Sequence, residues 1–155
     1  MRNKVPITCT YLHTNLTVEN IENMMEFYVG VFGCSPVREI QQLTGDWIER
    51  ITAVKDGEIK YVHLRLPGHW DKGPELELIQ YLNPTKKYEI TPDTYGFGHL
   101  SFSVSDVNEA LDAVIKAGGS CVGEVVTVEV PNRGLLTEVY ATDPEGNIIE
   151  LQSYD

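Results

Sequence analysis

Cysteine is scarce in this chain: Cys9, Cys34 and Cys121 make three, an odd number with no C-x-x-C spacing. That argues against a disulfide framework, and we read them as reduced thiols of a cytoplasmic protein, buried as small apolar side chains. Positive charge is scarce too, with 12 Lys and Arg against 23 Asp and Glu and a net charge of −11. Such a field repels nucleic acid and anionic membrane surfaces, so neither is expected as a partner. No apolar run approaches the ~20 residues that cross a bilayer. The opening MRNKVPITCTYLHTNL has no continuous apolar stretch and no small-residue cleavage site, so no signal peptide is expected. What is present is ordinary: 155 residues, 42% of them apolar. A chain of that size buries roughly 70% of its unfolded surface and needs neither disulfide nor metal merely to fold. One domain over 1–155, or two small modules sharing a core, is the expectation.

A repeat lies inside it. With His13 set over His99, HTNLTVENIENMMEFYVGVFG covers HLSFSVSDVNEALDAVIKAGG without a gap. Identity is slight, but both copies read strand, cap, amphipathic helix, glycine. Asn20 is a competent N-cap, and Asp106 with Glu109 resembles a capping box. Ile21, Met24, Met25, Tyr28 and Phe32 fall at helical spacing, as do Val107, Ala110, Leu111, Val114 and Gly118. Gly33 and Gly119 sit where helices stop. Strands are expected at about 35–43, 59–66 and 75–82, and again at about 121–130, 135–142 and 147–154. WIERITAVKDG is open between strand and short helix, because Trp47, Ile51 and Val54 recur at helical spacing. The polar segment of about 83–95 reads as a linker. The fold class expected is therefore α+β: two tandem βαβββ modules, about 7–82 and 96–155, forming a curled mixed sheet.

Strand side chains alternate between faces. In the first strand Leu12, Leu16 and Val18 oppose Tyr11, His13, Asn15 and Thr17; in its counterpart Leu100, Phe102 and Val104 oppose His99, Ser101 and Ser103. PELELIQYL sets Leu76, Leu78 and Leu82 against Glu75, Glu77, Ile79 and Tyr81. The last strand sets Ile149 and Leu151 against Ile148, Glu150 and Gln152. If the sheet curls, the polar faces line one concavity. Two imidazoles and two carboxylates converging there make a divalent metal site with nitrogen and oxygen ligands. A single His or Glu on a strand is ordinarily structural; the joint pattern is what singles these out. His63 and His69 have no counterpart in the other copy, so His63 is read as packed or solvated and His69 as a surface or rim residue.

Three pieces of the chain carry a family resemblance: the run from His13 to Phe27, Tyr28 and Gly33; GHLSFSVSDV around His99; and DPEGNIIEL, with Asp143, Pro144, Gly146 and Glu150. From about Tyr11 to Gln152 the chain resembles the vicinal oxygen chelate superfamily, which includes glyoxalase I, methylmalonyl-CoA epimerase, extradiol dioxygenases and bleomycin-resistance proteins. The resemblance implies that His13, Glu77, His99 and Glu150 hold one divalent ion (Zn, Ni, Co, Mn or Fe). It also implies that a substrate with adjacent oxygens undergoes proton transfer through an enediolate-like species, as in an isomerase, epimerase or lyase. Glu150 and Glu77 are then the candidate bases. Glu49 is a further one, by its count from His13 to an early-strand carboxylate of the epimerases, provided WIERITAV is not helical. An extradiol-type ferrous dioxygenase is the alternative. Those enzymes place a His shortly before the residue matching Tyr140, and VEVPNRGLLTEVY has none. A non-catalytic binding or resistance protein is the other alternative, and the four-ligand set speaks against it. Arg38, Arg50, Arg65, Lys86, Lys87 and Arg133 are available to an anionic substrate but read as solvated surface charges. Pairing of such modules between chains leads us to expect a homodimer.

Overall fold

A computed structural model describes residues 8–84 and 86–155. The expected start of the first module near residue 7, and the residues before it, lie outside that range. The chain runs β1 (His13–Thr17), α1 (Ile21–Phe32), β2 (Ser35–Pro36), β3 (Gln41–Leu43), α2 (Asp46–Thr52), β4 (Ile59–Arg65) and β5 (Glu75–Tyr81). It continues through β6 (Leu100–Ser103), α3 (Val107–Lys116), β7 (Ser120–Val130), β8 (Gly134–Thr142) and β9 (Ile148–Tyr154). The first module forms a sheet in the order β1-β5-β4-β2, with β3 also on β4; the second forms β6-β9-β8-β7. In each, the first strand pairs in parallel with the last, and the remaining pairs are antiparallel. The expected α+β fold of two βαβββ modules is built with one mixed sheet per module, not closed into a barrel, with β1 and β6 each at an edge.

Local chemistry sets the helices as the sequence suggests. Asn20 accepts from the Asn23 N–H and Asp106 from the Glu109 N–H, satisfying donors that a helix start leaves open. Gly33 at φ 69° ends α1, with its N–H on Val29 O and that of Cys34 on Tyr28 O. WIERITAV resolves as helix α2. Its stripe of Trp47 and Ile51 faces outward all the same (47% and 74% exposed), and Ile48 is the buried residue. The buried face of α1 is Ile21, Met24, Phe27 and Tyr28, with Met25 and Phe32 half-buried. Phe32 stacks flat on Phe102 of β6, rings 3.9 Å apart, which carries the core from one module into the other. That core joins Val62, Leu64, Leu76 and Leu78 of the first sheet to Val139, Ala141, Ile149 and Leu151 of the second.

Polar groups also lock the modules. Glu145, from the turn before β9, accepts from the Glu19 and Asn20 N–H groups at the start of α1, both at 2.8 Å. Tyr28 of α1 donates to the buried Asp143. Two expectations fail here. Cys34 is buried, its thiol pushed up to about 11 by desolvation, but Cys9 and Cys121 are exposed. Leu12 precedes β1 rather than lying in it and is 68% exposed, so the apolar face of that strand begins later.

Candidate metal centre

The strand pairing builds the same device twice. In the first module Asn15 stands opposite Glu77 across the parallel β1–β5 pair; in the second Ser101 stands opposite Glu150 across β6–β9. Two residues before each of these polar partners comes a histidine. His13 Nε2 lies 3.4 Å from Glu77 Oε2, which also accepts from Asn15 Nδ2 at 3.3 Å. His99 Nε2 lies 3.7 Å from Glu150 Oε2, which accepts from Ser101 Oγ at 2.6 Å. Each glutamate side chain is only 15% exposed, while the two histidines are open to 36% and 33%. Alternation puts the helices on one face of each sheet and leaves these side chains on the other, so the equivalence of the two pairs follows from the repeat. The four residues named from the sequence are therefore brought together two by two.

Three polar residues on the same faces escaped the sequence reading. His63 of β4 stands opposite Glu77 in register, with Nε2 3.2 Å from Glu77 Oε1 and Nδ1 2.9 Å from Glu75 Oε2. Both are close nitrogen–oxygen contacts rather than hydrogen bonds, and the enclosed Nδ1 has no hydrogen-bond partner. It is neither simply packed nor solvated. Arg65 is not a freely solvated charge: it is half-buried opposite Glu75, with Nε enclosed. In the second module the place opposite Glu150 belongs to Tyr140, whose ring lies 5.0 Å from that of His99. Its phenol is pushed up by desolvation and then by the Glu150 and Glu138 charges. The signal for all three was the alternation along β4 and β8; what was missing was which strand each would face.

Glu49 is a correction. It sits exposed on α2, and its carboxylate accepts from the Asp56 N–H at 3.1 Å, in a recess shared with Asp46, Asp56 and Glu58. The match to an early-strand carboxylate required a strand there, and the segment is helical. His69, as expected, borders a surface recess with Leu66 and residues of β6.

Two imidazole nitrogens and two carboxylates, paired alike in each module, are a donor set that fits one divalent ion of intermediate hardness. Within each module the groups engage one another pairwise rather than a common point, and among the described residues no three of them form a ready cage. A cleft of about 230 Å³ between β1 and β6 touches both halves, reaching Asn15 on one side and His99 on the other, with Tyr11 and Phe97 among its walls. No helix among the described residues is long and apolar enough to cross a membrane.

The profile of the Glyoxalase/Bleomycin resistance protein/Dioxygenase superfamily matches residues 10–151. A probable lactoylglutathione lyase of Vibrio cholerae is 31% identical over 144 residues, 90% of this chain and 87% of its own length. A lactoylglutathione lyase of Neisseria meningitidis serogroup A is 27% identical over 139 residues, covering 90% and 86%. The crystal structure of a glyoxalase family protein from Bacillus cereus superposes with a TM-score of 0.76 at 22% identity, over 99% of this chain and 97% of the other. That likeness extends the shared fold to nearly the whole chain.

Proposed function

Because the chain belongs to the Glyoxalase/Bleomycin resistance protein/Dioxygenase superfamily, we propose that it is a metal-dependent enzyme of the glyoxalase type. Its substrate is a small molecule with adjacent oxygens, of the hemithioacetal or hydroxyketone class, and its reaction is a proton transfer between neighbouring carbons. The observation that carries this reading is the duplicated His–Glu pair, His13 with Glu77 and His99 with Glu150, at equivalent places in two parallel strand pairs. The names of the lactoylglutathione lyases support the same class of chemistry.

His13, Glu77, His99 and Glu150 would hold the ion. Bound there, a divalent ion supplies positive charge against the adjacent substrate oxygens as negative charge develops on them. Glu150 is the assigned base: Ser101 and His99 both meet its Oε2 and no described residue bonds or pairs with its Oε1, whereas Glu77 is met on both oxygens, by His13 and Asn15 at Oε2 and by His63 at Oε1. It takes the proton from the carbon bearing the hydroxyl and returns it to the adjacent carbonyl carbon, while the hydroxyl proton passes to the former carbonyl oxygen, so the substrate is isomerised with no net change in atoms. The cleft beside β1 and β6, which His99 lines, is the assigned entrance.

A second copy of the chain is part of this reading. Tyr11 and Leu12 ahead of β1, and Tyr95 and Phe97 ahead of β6, are 66%, 68%, 104% and 99% exposed. Apolar rings beside two edge strands are costly to leave in water, which supports a homodimer across these edges. Light scattering at micromolar concentration checks it, and a monomer refutes it.

The decisive experiment is incubation in D₂O with a hemithioacetal, a hydroxyketone and a malonyl thioester, with Zn, Ni, Co, Mn or Fe supplied singly. Exchange of a carbon-bound proton, abolished by Glu150→Gln, is the expected result. Oxygen consumption with a catechol in the ferrous form, and exchange with none of the three, would replace the reading by a dioxygenase.

A further inference from the structure

The two modules match at His, Glu and the polar partner of Glu, but they differ at one place. Opposite Glu77 stands His63; opposite Glu150, at the equivalent register, stands Tyr140. The difference falls on a particular oxygen. In both glutamates Oε2 faces the module's own histidine. In Glu77 the other oxygen, Oε1, is met by His63 Nε2 at 3.2 Å. In Glu150 no described residue makes a hydrogen bond or ion pair to Oε1. His63 is itself restrained: Glu75 Oε2 lies 2.9 Å from Nδ1, and the rings of His13 and Tyr61 meet its own edge-on at 5.2 and 5.9 Å.

We propose that His63, seated by Glu75, is a positioning residue: it occupies Glu77 Oε1 and so presents Oε2, beside His13, as the oxygen that takes the divalent ion. The inference rests on the proposed metal site and adds a division of labour between its halves. The first module is the rigid half, with its carboxylate braced on both oxygens. The second is the half whose carboxylate keeps one oxygen unrestrained. Partners of this kind fix the orientation of a ligand, and their loss costs ~10–100-fold in metal affinity even though they never touch the ion.

The test is titration of the purified chain with Ni²⁺ alone by calorimetry, and with Co²⁺ alone by its visible absorption, which reports the ligand field. His63→Leu is expected to weaken binding ~10–100-fold and to shift the Co²⁺ band. His63→Gln, which keeps a donor, recovers part of both, and Glu75→Gln gives a smaller loss. Thermal melts of the metal-free variants show whether the fold is kept; should His63→Leu not fold, Glu75→Gln carries the test. Wild-type affinity and an unshifted Co²⁺ band in the folded variants overturn the proposal. Glu77→Gln separates it from its premise. If that variant and the wild type alike bind no metal, the functional reading falls and takes this inference with it. If Glu77→Gln loses the metal and the His63 variants do not, only the inference falls.

Discussion

Tyr28→Phe removes one oxygen from the interior and isolates a single link between the modules. The Tyr28 hydroxyl, on α1, donates to Asp143 Oδ2 at 2.9 Å, and both residues are 1% exposed. Asp143 sits in the turn joining β8 to β9. It also accepts from Asn147 Nδ2 at 2.8 Å, from the Asn147 N–H at 2.9 Å and from the Glu145 N–H at 3.0 Å. Desolvation raises the carboxyl above the usual aspartate range and raises the phenol well above its own, so Tyr28 stays protonated and donates. Phenylalanine keeps the ring that packs edge-on against Phe27, so no cavity opens and the cost is that of the lost donor. A buried hydrogen bond to an ionised acceptor is worth about 1.5–3 kcal/mol. With about 2 kcal/mol lost and roughly 2–4 °C per kcal/mol for a domain of this size, Tm should fall by about 4–8 °C. Urea melts of Tyr28→Phe, Asp143→Asn and the double variant supply the cycle, and a coupling of at least about 1 kcal/mol is expected. A cost for Tyr28→Phe that is equal with Asp143 and with Asn in its place would refute the link.

Three further outcomes follow from the same contacts. Because the folded-state pKa of Asp143 is raised, its protonation favours the folded chain; the benefit is full below the unfolded value and is lost as pH rises through the folded one. The stability advantage of wild type over Asp143→Asn should therefore shrink as pH rises from the ordinary aspartate range toward neutrality, measured by urea melts, and an advantage that grows would contradict it. Gly119→Ala places a Cβ 2.2 Å from Thr142 O and 2.6 Å from Val114 Cγ1, a backbone clash that packing cannot absorb. A loss of about 1–3 kcal/mol is expected from chemical denaturation. Asp106→Ala, which leaves the Glu109 N–H without its acceptor, should cost about 1 kcal/mol in the same assay.

The fold was largely legible because its signals are local. Asn20, Gly33 and Asp106 act through hydrogen bonds within a few residues, and alternation along β5 and β9 depends only on the strand itself. Buried faces were legible less finely. On α1 the core took Phe27 and left Met25 and Phe32 half-buried, since the spacing of one helix does not say from which side a neighbour will come. Gln80 shows the same limit. It lies on the helix-facing side of β5, where its Oε1 accepts from the Ile21 N–H at 3.1 Å, a tertiary cap with no trace in either segment alone. The contact of His63 with Glu77 is illegible for the same reason: alternation in KYVHLRL places it with Tyr61 and Arg65, but only the antiparallel pairing of β4 with β5 places it against Glu77.

Glu49 failed differently, and its failure yields a prediction. Counting from His13 assumed that WIERITAV is extended, so that a glutamate could project from a strand onto the concave face. Instead Gly45, at φ 111°, turns the chain into α2; Ile48 alone is buried, and Glu49 is carried to the outside. Its carboxylate is spent on the Asp56 N–H at the far end of the helix, where it stabilises the turn into β4. Surrounded by Asp46, Asp56 and Glu58, it faces like charges and has no histidine among its neighbours in the recess. Glu49→Gln should therefore leave bound metal and turnover unchanged, and the relief of charge repulsion should offset the weakened turn contact, keeping stability within about 0.5 kcal/mol of wild type. Glu150→Gln should lose both metal and turnover. Metal content and kcat, measured side by side on the two variants, decide the matter. Loss of turnover in Glu49→Gln with its metal intact would return that carboxylate to the site and overturn the assignment of Glu150 as the sole base.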